Sequence, residues 1–434
     1  MSAIFRALIL LAFVGMPFST ALAAPVSGVP GHPVLIRDAT IHTLGSAGTL
    51  EHADLLIDAA GKIAAIGPKG TTRAGAGGAG VEVIEANGRP VTPGLFGGLS
   101  RLGIEEIGEE PTVDDYALKL GSMRPEFDVS AAFNPDSVVL GVSRLGGVTF
   151  AMVAPSAEPG GKSTIIAGQG SIARLDGSLV PAARALFVEI GGNANSLSGG
   201  SRAAQFMLLR QALTEVRSPG SLLPGDMRLL TPAGRQALRV YLAGAAPIVF
   251  AADRASDIRQ VIAFAQHEKL RVAISGGAEA WRVASELAAA KIPVILNPLD
   301  DLPETFDAVG ATLENAAVLN RFGVKIAFSF DDPEPHNIRK LRQGAGVAVA
   351  NGLPWDAALA ALTRNPAEIF GVRSGNGSLE RGQPADLVLW SGDPLEVSTL
   401  ADRVFIQGKQ QTMRSRQTDL RDRYLQKLRA DAAR

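Results

Sequence analysis

Acid–base and metal chemistry need imidazoles, carboxylates or thiols spaced so that two of them can reach one atom, and this chain supplies them unevenly. It has no cysteine and five histidines, at positions 32, 42, 52, 267 and 336. The missing cysteines remove disulfides, thiolate nucleophiles and zinc–thiolate sites together. No two histidines are spaced i,i+2 or i,i+4, so no strand or helix face offers two imidazoles to one ion. Near His336, however, stand Asp331, Asp332 and Glu334. These four could hold a single divalent ion through oxygen and one nitrogen, or be a loop histidine beside surface carboxylates. A metal-free alternative pairs Asp331 with Asp253 or Asp300, because carboxyl groups in unlike surroundings can divide proton-donor and proton-acceptor roles. The plainer reading makes them strand-end caps and loop acids. Arg101 and Arg254 are placed to clamp a ligand carboxylate or to pair internally with those acids.

Other motifs fail on context. Gly75-x-Gly77-x-x-Gly80 precedes a strand instead of following one, and no helix opens after it to receive a pyrophosphate. Gly161–Lys162–Ser163–Thr164 has Ser156 where a phosphate loop needs its first glycine. No Gly-x-Ser-x-Gly elbow is present for a serine hydrolase.

The elements that position these residues follow from hydrophobic pattern. With 434 residues, 46% hydrophobic, 20% charged and a net charge of −1, the chain is large enough for two domains and shows no bias toward nucleic acid or anionic membrane. Residues 1–24 carry Arg6, an apolar run at 7–14 and Ala21–Leu22–Ala23, the three parts of a secretory signal. A periplasmic or secreted mature chain is therefore expected. Short strand-like runs fill 31–90, and the stretch Val91–Gly103 reads as a buried strand opening a barrel. A polar, acid-rich segment follows at about 104–137, with too little periodicity for core and a place over the barrel mouth.

From Gly146 the pattern alternates strand and helix: Pro247–Ala251 strand, Ser256–Lys269 helix, Leu270–Ser275 strand, Ala278–Lys291 helix, and so on to a last helix from about Pro354 to Gly371. Such alternation predicts an α/β fold, a (β/α)8 TIM-like barrel over 91–371. Strands return at 372–411 and are expected to join those of 31–90 in one small composite β-sandwich domain. A charged helix over 412–434 is expected on the surface or at an interface.

Three segments are similar to the amidohydrolase superfamily, within it to secreted imidazolonepropionase-like proteins: VTPGLFGGLSRLG at 91–103, DRASDIRQVIAFAQ at 253–266 with GGAEAWRVASEL at 276–287, and NPAEIFG at 365–371 followed by GSLERGQPADLVLWSGDPLEV at 377–397. The resemblance implies a barrel with a β-sandwich made from both chain ends. It also implies one or two divalent metals at the C-terminal mouth, whose bound hydroxide attacks amides or cyclic amides. The family's His-x-His falls on Leu99 and Arg101, its fifth-strand histidine near Ala251 and its sixth-strand histidine around Ser275–Gly277. None of these positions holds a histidine. Only the terminal aspartate has a counterpart, Asp331, with Asp332 beside it.

The catalytic candidates are therefore Asp331 and Asp332, the substrate-binding candidates Arg101 and Arg254, with no metal ligand assigned and one divalent ion as the candidate cofactor. The expected function is an exported amidohydrolase-family protein with a degenerate metal site that acts on or binds amide and cyclic-amide C–N compounds. The alternative is a catalytically silent ligand-binding or partner subunit. A small molecule is the expected partner, together with a second copy or a related amidohydrolase; nucleic acid and membrane are not.

Overall fold

Two eight-stranded sheets carry the structure, a computed structural model that describes residues 32–72, 80–108, 110–158, 163–218, 225–330, 334–372 and 377–432. The expected signal segment and the catalytic candidates Asp331 and Asp332 lie outside the described residues. Before the barrel come β1 (Val34–His42), β2 (Thr49–Ile57), β3 (Ile63–Pro68), β4 (Glu82–Glu85) and β5 (Pro90–Pro93). The barrel sheet consists of β6 (Leu95–Ser100), β7 (Val148–Val153), β8 (Ile166–Arg174), β9 (Leu179–Glu189), β10 (Ile248–Ala252), β11 (Val272–Gly276), β12 (Val294–Leu296) and β13 (Ile326–Phe328). After it come β14 (Leu387–Trp390), β15 (Ala401–Ile406) and β16 (Lys409–Gln410).

The helices are α1 (Val138–Arg144), α2 (Arg202–Arg217), α3 (Pro232–Leu242), α4 (Ala255–Glu268), α5 (Ala284–Ala290), α6 (Asn315–Arg321), α7 (Leu341–Ala350), α8 (Trp355–Ala361), α9 (Arg364–Phe370) and α10 (Arg416–Ala432). On α4, Ile258, Val261, Ile262 and Ala265 are all buried, as their helical spacing requires. The single helix expected from Pro354 to Gly371 is two, α8 and α9, broken at Leu362–Thr363. No described helix is long and apolar enough to cross a membrane.

The barrel sheet runs in the order β13-β12-β11-β10-β9-β8-β7-β6. Seven strands are parallel; β8 is antiparallel to both β7 and β9. That corrects the expectation of eight β/α units. Residues 166–189 form a hairpin turned at Asp176–Gly177–Ser178, where the side chain of Asp176 accepts from the N–H and hydroxyl of Ser178. A hairpin needs no crossover helix, so one unit of the repeat is replaced by an up-and-back pair. At the other end of the sheet, the Leu99 N–H at β6 donates to Ser329 Oγ just past β13, at 3.0 Å. Gly98 permits this approach. It has φ +82°, and a β-carbon there would lie 2.8 Å from Ser329 Oγ.

The stretch 91–103, expected as one strand, is divided between the two sheets. β5 pairs with β14 in one, and after Gly94 the chain enters β6 of the other. The first sheet has the order β16-β15-β14-β5-β1-β2-β3, with β4 also on β1, so strands from both ends of the chain share one hydrogen-bonded sheet. Its apolar cluster draws Ile36, Ile41 and Leu55 from one end and Leu387, Leu389 and Phe405 from the other.

Buried polar groups hold this sheet together and tie it to the barrel. Trp390 on β14 is fully buried and donates from its indole Nε1 to Thr92 Oγ1 at 2.9 Å. Arg342 on α7 is also buried and donates to the carbonyls of Pro394 (2.8 Å), Glu396 (2.6 Å) and Thr399 (2.6 Å). Beside β14, the buried Asp386 carboxylate accepts from the backbone N–H (2.6 Å) and the side-chain amide (3.0 Å) of Gln407, whose φ of +52° turns the chain between β15 and β16.

Candidate functional site at the barrel mouth

The C-terminal ends of the barrel strands open into a cavity of about 390 Å³. Parallel barrels place their variable loops and binding residues at this end, so the cavity is the natural candidate site. Its floor is built from strand-end residues: Leu99 of β6, Glu189 of β9, Ala251 of β10, Ser275 and Gly276 of β11, and Ser329 after β13. The segment after β12 contributes Asp300, Leu302, Glu304 and Asp307.

Asp253 follows β10 and is gripped by the segment after β11. Its Oδ1 accepts from the Ala278 N–H at 3.3 Å, and the Gly277 N–H also reaches the carboxylate. Its own carbonyl accepts from the Glu279 N–H at 2.9 Å. Gly276 and Gly277 have φ of +78° and +70°, and a β-carbon on Gly276 would lie 2.4 Å from Asp253 Oδ1. Within Ser275–Gly277, where the family's sixth-strand histidine was expected, Gly276 and Gly277 are bare backbone, and the Asp253 carboxylate uses the space beside Gly276. Burial pushes the Asp253 carboxyl above the ordinary carboxylate range, and the charges of Asp307 and Glu279 add to the rise, against the pull of the two N–H groups.

Glu279 makes this corner rigid. Its buried carboxylate accepts from the Ala255 N–H at the start of α4 (3.0 Å) and from the Gly310 N–H (2.9 Å). A carboxylate at a helix N-terminus answers otherwise unpaired N–H groups and the helix dipole. The segment 297–314 is held in turn by Asp307, which accepts from the Gly192 N–H at 2.6 Å and pairs with Arg202 of α2. Arg202 also binds Asp257 at 2.8 Å.

On the β6 side stands Arg101. Its Nη1 lies 3.2 Å from Glu105 Oε2, and its guanidinium covers the Tyr116 ring at 3.4 Å from the centroid. Among the described residues, the acid that pairs with Arg101 is therefore Glu105. Burial pushes the Glu105 carboxyl up, opposed by Arg101 and reinforced by Asp114 and Glu334. The acid-rich segment is consequently not a purely solvated loop. Ile104, Tyr116 and Val129 form a small apolar cluster with Val153 and Ala173 of β7 and β8.

Arg101 lines the cavity; Arg254, at the start of α4, is exposed and is not among its lining residues. Asp253 and Asp300 both line it. His336 does not, and its Nδ1 lies 3.6 Å from Glu334 Oε2 on the outside. Glu189 and Asp307 were missed by the sequence reading, and Glu105 was covered only as part of the acid-rich segment over the mouth. A single acid closing the apolar strand Ala185–Leu186–Phe187–Val188–Glu189 was the one available signal for Glu189.

The donors can be tested against the metal expected from the resemblance. A zinc-like ion needs several neutral imidazoles or carboxylates around an open position. At the positions where the family's histidines were expected, the cavity is faced by Leu99, Arg101, Ala251, Ser275 and Gly276, and a guanidinium keeps its proton and repels a cation. Among the described residues, no group of three or more His, Cys, Asp or Glu side chains converges. These donors do not fit such an ion.

A nearly closed β/α barrel with its cavity at the strand C-termini and a sheet drawn from both chain ends is the architecture of barrel hydrolases. Residues 282–413 match the profile of the Amidohydrolase family. The curated protein Amidohydrolase tasK of Hapsidospora irregularis is 42% identical over 113 residues, 24% of this chain and 11% of that relative, so the match spans about a tenth of the relative's length. The solved structure of an amidohydrolase from Thermotoga maritima MSB8 is 26% identical with a TM-score of 0.76, covering 88% of this chain and 100% of that one. The structure of molinate hydrolase, 14% identical with a TM-score of 0.54 over 88% of this chain and 95% of that one, shares the fold. Residues 282–413 thus carry the Amidohydrolase family profile, and over most of its length the chain is similar to a solved amidohydrolase.

Proposed function

We propose that the protein is an exported hydrolase that opens an amide or cyclic-amide C–N bond at the barrel mouth, using carboxyl chemistry where the family's metal positions have degenerated. The observation that carries this reading is the half-buried Asp253 carboxyl, set at the mouth in the space a side chain on Gly276 would fill and raised above the ordinary carboxylate range by desolvation. A carboxyl raised in this way is better suited than an ordinary one to donate a proton to a leaving nitrogen. The sequence puts Asp331 and Asp332 directly after Phe330, a lining residue, which makes them the candidate base for the attacking water. Water adds to the carbonyl carbon, the C–N bond breaks, the nitrogen takes the Asp253 proton, and the base takes the proton from water. Export rests on the signal-like pattern of residues 1–24.

Relatives named as amidohydrolases weigh toward this reading over the silent subunit. The test is ammonia or amine release from a panel of amides and cyclic amides by chelator-treated mature protein. Turnover that survives chelation and falls about 100-fold or more in Asp253→Asn is expected. Turnover abolished by chelation and restored by zinc or manganese would overturn the metal-free reading.

A further inference from the structure

The mouth is electrically lopsided. Arg101 is the one basic side chain among its described lining residues, and it stands at the end of β6. Asp253 stands at the end of β10, four strands away in an eight-stranded run, which on a nearly closed barrel is the opposite wall. Glu189, at the end of β9, is beside it in strand order.

Arg101 is fixed but not used up. Glu105 takes Nη1, and Tyr116 supports one face of the guanidinium. No hydrogen bond to Nε or Nη2 is found among the described residues, while 23% of the side chain stays open to solvent. A guanidinium with a free N–H edge, oriented by a carboxylate and an aromatic face, is organised to receive a planar anion in two parallel hydrogen bonds. The opposite wall suits the reverse charge. An amine leaves an amide as a neutral nitrogen and becomes cationic once protonated, so carboxylates there stabilise the product side of the cleavage.

Resting on the reading of this mouth as the reaction site, we infer that the substrate is an amide whose acyl half carries a carboxylate. The carboxylate docks on Arg101, and the leaving nitrogen faces Asp253 across the barrel. At about 390 Å³ the cavity lies near the lower end of ligand pockets, which span roughly 300–1,000 Å³, so the substrate is small.

Three probes of similar size separate the charges: succinamate, which carries the carboxylate; propionamide, which carries no charge; and β-alaninamide, which carries an ammonium in its place. Calorimetric titration of the mature protein should show succinamate binding at least about tenfold more tightly than propionamide, with β-alaninamide weakest. Arg101→Met should make succinamate and propionamide equal, and Arg101→Lys should keep part of the preference. Should Arg101→Met misfold because Glu105 loses its partner, the double substitution with Glu105→Gln removes both charges. Wild-type protein that binds none of the probes at millimolar concentration, fails to rank them, or prefers β-alaninamide overturns the inference. So does a folded Arg101 variant that keeps the ranking. Ammonia release is read in the same samples. Ranking without release overturns the hydrolase reading and leaves Arg101 in place; release without ranking does the reverse.

Discussion

Asp386 shows what one buried carboxyl does to the molecule's response to pH. Burial pushes it from an ordinary 3.8 to about 7, opposed by its two bonds from Gln407 and by the charge of Arg174. Because the folded state holds the proton more tightly than the unfolded chain, the associated stability is fully present below about pH 4 and is lost as pH rises to about 7. Thermal melting followed from pH 4 to pH 8 should show this decline. Asp386→Asn keeps an acceptor for the Gln407 N–H and cannot ionise, so its melting curve should be flatter across the same window; an unchanged slope would assign the pH dependence elsewhere.

Gly276 makes the equivalent argument for an element. The segment after β11 holds Asp253 only because residue 276 has no side chain and can adopt a left-handed backbone. Gly276→Ala should strain that turn by about 1–2 kcal/mol and push the carboxylate off the N–H groups of Gly277 and Ala278. Losing donors that favour the ionised form raises the carboxyl's pKa further. If Asp253 acts as the acid, the basic limb of the pH–rate profile should move to higher pH while the maximal rate falls. A lower rate with an unmoved limb would mean that these N–H groups do not set its ionisation.

Elements of this kind were readable from the sequence where one period dominated. α4 and β10 each lie within a residue of the expected Ser256–Lys269 and Pro247–Ala251, since continuous apolar runs and a clean helical stripe leave little choice. Three features were not readable, for physical reasons. A change of sheet at Gly94 leaves no mark in hydrophobicity, because both β5 and β6 are buried. The antiparallel β8 is as buried as its parallel neighbours, so composition does not fix its direction, although Thr164–Ile172 reads as a possible hairpin arm. Arg101 could be placed at the mouth, but its partner Glu105 could not be chosen from among many acids. The grip on Asp253 depends on two backbone angles, which a Ser-Gly-Gly run permits and does not dictate.

At the scale of the whole molecule, barrel and sheet share one apolar cluster that includes Trp390, Val404 and Ile406, and buried polar contacts add to it. Arg342 is the clearest, with its guanidinium buried beneath residues 394–399 and shared among three carbonyls. Hydrogen bonds from a charged donor are worth about 1.5–3 kcal/mol each, and truncation would leave three carbonyls without their donor. Arg342→Ala should therefore lower unfolding stability by about 3 kcal/mol or more in urea titration, with Arg342→Lys recovering only a part. A loss under about 1 kcal/mol would mean that water reaches those carbonyls. The barrel mouth lies on other elements, and substrate binding per folded molecule should not change.

The pairing of β5 with β14 also sets an order in time. A ribosome delivers the chain from its amino end, so β1 to β5 exist for the span of nearly three hundred residues before Leu387–Trp390 can pair with Val91–Pro93. Throughout that interval an unpaired strand edge is available to any other extended chain. Completion of the first sheet must wait until Leu387–Trp390 has been made, so a chaperone that covers the open edge of β5 would protect the chain during that interval.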